Sequence, residues 1–126
     1  MPPNILKVGI LMLNKEITKD ADKLICLIYQ AYLEDRRNGV PKKMARNSGS
    51  SKEIFERHLI WTLEDVDETC HELNRANFLE ILCADNLVND SYITDEALVY
   101  MENRFPNGLN EVLNFLTTLK GFIPFA

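Results

Sequence analysis

The chain has 126 residues, 46% hydrophobic and 26% charged, with a net charge of −5, as expected of one domain that buries a core without disulfide or metal staples. Three cysteines, an odd number with no CxxC pair, exclude a disulfide framework and point to free thiols in a reducing compartment, the cytoplasm by default. The apolar run Ile5 to Leu13 is interrupted by Lys7, is too short to span a bilayer and lacks a cleavage signature, so neither a signal peptide nor a transmembrane helix is expected.

In chain order, residues 1–17 read as an N-terminal arm ahead of a domain over residues 18–126. The codons for Lys7-Val8-Gly9 can form a purine-rich string resembling a bacterial ribosome-binding site before Met12. Residues 1–11 are therefore either non-native upstream translation or an ordinary arm. Thr18 is placed to cap a helix running to about Arg37, with Ala21, Leu24, Ile25, Ile28, Ala31 and Tyr32 at helical spacing and Leu27 and Leu33 widening the stripe. Asn38-Gly39 is a left-handed stop and Pro41 confirms the break. Met44 is expected in a very short edge strand, and residues 47–51 form a loop. Ser51 is expected to cap a helix from Lys52 to about Ile60 that turns Ile54, Phe55, Leu59 and His58 inward. Thr62 then caps the clearest helix in the chain, to Arg75, whose apolar stripe is Leu63, Val66, Cys70 and Leu73. After Asn77 the period changes to that of a hairpin, with turn residues at Asp85-Asn86 and Asn89-Asp90. Thr94 caps a short helix over Asp95 to Arg104, and a last helix runs from Leu109 to about Lys120. The fold class is mainly α with a small β-hairpin, an α+β chain.

Charge is segregated along this order. Arg36, Arg37, Lys42, Lys43, Arg46, Lys52 and Arg57 face only Glu53 and Glu56 within residues 36–58, whereas residues 59–102 carry eleven acidic side chains against Arg75 alone.

The order helix, short strand, helix, turn, helix, hairpin, helix resembles the winged helix-turn-helix superfamily. The string Tyr92-Ile93-Thr94-Asp95-Glu96-Ala97-Leu98-Val99-Tyr100-Met101-Glu102 is similar to the common exit from the second wing strand of such folds. Small bacterial and phage proteins of the YjcQ type, and more distantly PadR-like and MarR-like regulators, are the families it resembles, over roughly Thr18 to Leu119. The resemblance implies duplex DNA binding, with the third helix in the major groove, Glu68, His71, Glu72 and Arg75 at base edges and the wing on the backbone. Here the charge pattern departs from the family, because duplex binding rests on cations, while this helix and the wing from Cys83 to Tyr92 are acidic.

Two functional surfaces follow. The stretch from Lys42 to Lys52 leads into a helix N-terminus, where free N–H groups favour an anion, so Lys42, Lys43, Arg46, Ser50, Ser51 and Lys52, with Arg75, are the candidate phosphate and DNA contacts of a transcriptional regulator. The stretch lacks the spacing of a Walker loop. The alternative is a protein-interaction module that presents Glu64, Asp67, Glu68, His71 and Glu72 to a basic partner or as a nucleic-acid mimic. Cys70-His71 with Cys83 and His58 lacks zinc-finger spacing, and two histidines support no nucleophilic triad. No metal, cofactor or enzymatic activity is expected. The surplus apolar surface of residues 109–125 suggests either a homodimer contact or a tail folded onto Leu27, Tyr29 and Leu33.

Overall fold

The computed structural model describes residues 16–119, and these form an α+β fold dominated by helix, with one two-stranded antiparallel hairpin. The arm over residues 1–15, the expected end of the last helix at Lys120 and the apolar tail to residue 125 lie outside the described residues.

Helix α1 (Lys19–Arg37) is the centre of the core. Thr18 caps it, its Oγ1 accepting from the Ala21 N–H at 3.1 Å. Six consecutive residues, Leu24 to Tyr29, are buried, so every face of the helix is covered there. Asn38 and the left-handed Gly39 (φ 86°) end it.

Pro41 opens a single turn, α2 (Lys42–Ala45). Met44 therefore lies in a helical turn, 66% exposed, and not in the edge strand the sequence suggested. Proline pre-sets φ for a helix start and gives up an N–H that no helical turn would use. Strand-like pairing comes just afterwards, where Asn47 bridges Tyr92 and the Ser48 N–H donates to the Ser91 carbonyl at 2.8 Å.

Helix α3 (Ser51–His58) is capped by Ser50, one residue earlier than expected. Its C-cap, Leu59, sits in the left-handed region (φ 51°) and is 52% exposed, which corrects its assignment to the core; Ile60 takes the buried place instead. Trp61 is also left-handed (φ 53°), and Thr62 then caps α4 (Leu63–Arg75) by accepting from the Asp65 N–H.

Strands β1 (Leu79–Ala84) and β2 (Leu87–Ile93) pair from Leu79↔Ile93 to Ala84↔Leu87. Asp85 and Asn86, both at positive φ, make the two-residue turn whose twist matches the strands. Asn89-Asp90 is not a second turn. Both residues lie inside β2, where the register passes from Leu82↔Asp90 to Cys83↔Val88 and leaves Asn89 as the extra residue of a bulge.

Helix α5 (Asp95–Arg104) starts at the Thr94 cap and α6 (Leu109–Thr117) after Gly108. Helix α1 packs against α4, α6, α2 and α5, while α4 also backs both strands and α3. One long-range tie has no counterpart in the sequence pattern. Arg104 forks onto the Asp22 carboxylate, with Nη2 to Oδ2 at 3.0 Å, and its guanidinium lies over the Phe105 and Phe115 rings at 5.0 and 4.6 Å.

Candidate functional site

The basic stretch divides on folding. Lys42, Lys43, Arg46, Glu80, Tyr92 and Asp95 line an open depression of about 640 Å³ between α2 and the base of the hairpin. Lys42 and Lys43 are exposed, but Arg46 is a tie. Its Nε donates to the Ile93 carbonyl at 2.9 Å, its guanidinium lies 3.3 Å from Asp95, and its own carbonyl accepts from the Ile93 N–H at 3.0 Å. Tyr92 Oη donates to Asp90 at 2.9 Å, and this hydrogen bond to a carboxylate raises the phenol above its ordinary pKa.

A capping box closes the N-terminus of α3. Ser50 Oγ accepts from the Glu53 N–H at 3.1 Å, and Glu53 Oε1 accepts from the Ser50 N–H at 3.0 Å. A carboxylate of the chain thus occupies the place sought for an external phosphate. Gly49, beside it, sits in the left-handed region (φ 80°), which a side chain would strain. Ser51 is 2% exposed, and its hydroxyl donates to Asp67 Oδ1 at 2.8 Å, so it is an interior group and not a surface anion ligand. Lys52 remains exposed.

The acidic face of α4 divides too. Asp67 is buried, accepting from Ser51 and from the Val88 N–H at 2.8 Å, so a carboxylate expected at a partner surface instead joins α3, α4 and β2. His71 Nε2 lies 3.4 Å from Asp67 Oδ2. Serine, aspartate and histidine meet here, but the hydroxyl bonds the carboxylate directly, so no imidazole is placed to take its proton. The Glu72 carboxylate receives the Thr18 N–H at 3.0 Å and its hydroxyl at 2.8 Å, fastening the start of α1 to α4. Exposed on the helix are Glu64, Asp65 and Glu68, with Arg75 3.7 Å from Glu68. The inward turn of Asp67 was readable in principle, since positions 63, 66, 67, 70, 73 and 74 share one helical face.

The hairpin tip exposes apolar side chains on either side of the polar Asp85-Asn86 turn. Leu82 is 61% and Leu87 51% exposed, with Cys83 and Ala84 exposed between them. Cys26 and Cys70 are buried, and burial pushes both thiols up to about 12, with Asp22 adding to the first and Asp67 to the second. Burial, with Arg57 beside it, brings His58 down to about 4. Among the described residues no group of histidine, cysteine and carboxylate side chains is arranged to hold a metal ion, and no helix is long and apolar enough to cross a membrane. No protein-family model, no curated protein and no solved structure matches the chain.

Proposed function

We propose that the chain is a winged helix-turn-helix domain used for protein–protein contact, with the exposed acids of α4 as the surface offered to a basic partner. The fold reading is supported by the order of helices and hairpin and by the isolated Asn47–Tyr92 bridge, a single strand-like pair beside β2. One observation carries the functional reading. Helix α4 and the hairpin, the elements that would face a duplex, expose Glu64, Asp65, Glu68, Glu80 and Asp85, and their single cation, Arg75, already lies beside Glu68. Such a surface repels a phosphate backbone and attracts cationic side chains. The second reading, a DNA-binding regulator, draws on the exposure of Lys42, Lys43 and Lys52.

Fluorescence anisotropy of a labelled mixed-sequence duplex at low salt separates the two. The interaction reading expects no rise in anisotropy, and a lysine-rich peptide that binds until Glu64→Lys and Glu68→Lys are introduced. Duplex binding that weakens with salt and with Lys42→Ala and Lys43→Ala would overturn it in favour of the regulator.

A further inference from the structure

Asparagine is followed by glycine twice in the chain, at Asn38-Gly39 and Asn107-Gly108. A glycine nitrogen can reach the preceding asparagine side chain with no Cβ in the way. Both asparagines are exposed, and the space where a Cβ would stand at either glycine is open. What holds the two pairs differs. Asn38 closes α1: its N–H donates to the Glu34 and Asp35 carbonyls at 3.0 and 3.1 Å, the Gly39 N–H to Arg36 at 3.1 Å and the Val40 N–H to Asp35 at 2.9 Å. Arg36 Nη1 also donates to the Val40 carbonyl at 3.1 Å. At ψ 8°, Asn38 keeps the Gly39 nitrogen turned away from its own side-chain carbon, and rotating it would break this cap. Asn107 lies in the connection between α5 and α6, after Pro106, which has no N–H to donate. Here the Gly108 N–H donates to the Phe105 carbonyl at 3.0 Å, and the Asn107 N–H is held only by a side chain, Glu111 Oε1, at 2.9 Å.

We propose that Asn107 is a site of spontaneous deamidation in the folded chain, and that its isoaspartate product loosens α6. The Gly108 nitrogen gives its proton to solvent and bonds to Asn107 Cγ. The bond from Cγ to the side-chain nitrogen breaks, and that nitrogen takes up a proton and leaves as ammonia. Water, the only co-reactant, then opens the five-membered imide. Opening at the side-chain carbonyl gives aspartate; opening at the main-chain carbonyl gives isoaspartate, whose main chain is longer by a methylene. The aspartate form should change little, because its charge suits a helix N-terminus and opposes Glu111. The isoaspartate form displaces Gly108, whose carbonyl accepts from the Glu111 and Val112 N–H groups at 3.1 and 3.2 Å and starts α6. That helix packs on α1 and buries Val112 and Leu116.

The proposal is independent of the surface that α4 offers. The wild-type chain, incubated at mildly alkaline pH and digested at intervals, is mapped by mass spectrometry that distinguishes isoaspartate, once folded and once in urea. In urea the two asparagines should convert at similar rates. In the folded chain Asn107 should convert about tenfold faster than Asn38, since fewer main-chain hydrogen bonds must open. Asn107→Gln should abolish conversion at 107 and leave Asn38 unchanged. Hydrogen exchange in α6 should be faster in the isoaspartate fraction than in Asn107→Asp. Conversion of Asn38 as fast as Asn107 in the folded chain, or an intact Asn107 after the urea sample has converted, overturns the assignment of the site. Equal α6 exchange in the isoaspartate fraction and Asn107→Asp overturns its effect.

Discussion

Strand β2 is tied to the rest of the molecule along its length, while the end of β1 toward the turn is exposed. Along β2, Val88, opposite Cys83 near the turn, donates to Asp67 of α4, Ser91 Oγ donates to the Gly49 carbonyl at 2.7 Å, Ile93 exchanges hydrogen bonds with Arg46, and beyond it the Thr94 N–H returns to the Phe78 carbonyl at 3.1 Å. At the tip, Leu82, Cys83, Ala84 and Leu87 are exposed. The difference teaches that β2 is specified by satisfying buried polar groups, while the exposed end of β1 follows from strand pairing and turn geometry.

The largest effect should come from emptying the base. Ile93→Ala removes a side chain with no exposed surface and should cost about 4 kcal/mol in urea denaturation, whereas Leu82→Ala at the tip should stay within about 0.5 kcal/mol at dilute concentration. Equal losses at the two sites would erase the distinction. Next is the carboxylate beneath the hairpin. Asp67→Ala leaves the Val88 N–H without its acceptor, and although Ser51 Oγ has the Val88 carbonyl at 3.4 Å to fall back on, the loss should be about 3 kcal/mol. Its sequence neighbour Glu68, exposed, should tolerate alanine with a change below about 0.5 kcal/mol.

Burial away from the hairpin can be compared through pH. His58 on α3 holds its proton less readily when folded, down to about 4 from an ordinary 6.5, so as pH falls below 6.5 the unfolded chain takes up a proton that the folded chain refuses. Stability is therefore lost between about 6.5 and 4 and levels off below. The full shift would correspond to about 3.4 kcal/mol, and because the ring is only half-buried a loss on the order of 2 kcal/mol is expected. His58→Gln should flatten that part of the pH–stability curve, and an unchanged slope would assign it to other groups. The smallest expected effect among the ties is at Glu72. Its replacement by alanine removes the acceptor for the Thr18 N–H and hydroxyl at an exposed helix start, so about 1 kcal/mol should be lost, with hydrogen exchange faster in the first turn of α1.

Local order determined much of this molecule. The caps at Thr18, Thr62 and Thr94, the stop at Asn38-Gly39, the Asp85-Asn86 turn and the apolar stripes of α1 and α4 depend on residues within a few positions of one another, so the sequence alone was enough to read them. The choice between Ser50 and Ser51 as the cap was not local. Both serines suit an N-cap, and Asp67, sixteen residues from Ser51, takes the hydroxyl of the second into the interior. Candidate surfaces were the least legible for the same reason. Arg46, Ser51, Asp67 and Glu72 read as surface chemistry in a linear chain, and only the packing of α1, α4 and the hairpin turned them into internal partners. A polar side chain is ligand or structure according to whether its partner comes from solvent or from a distant part of the same chain, and that partner is set by tertiary contact rather than by spacing.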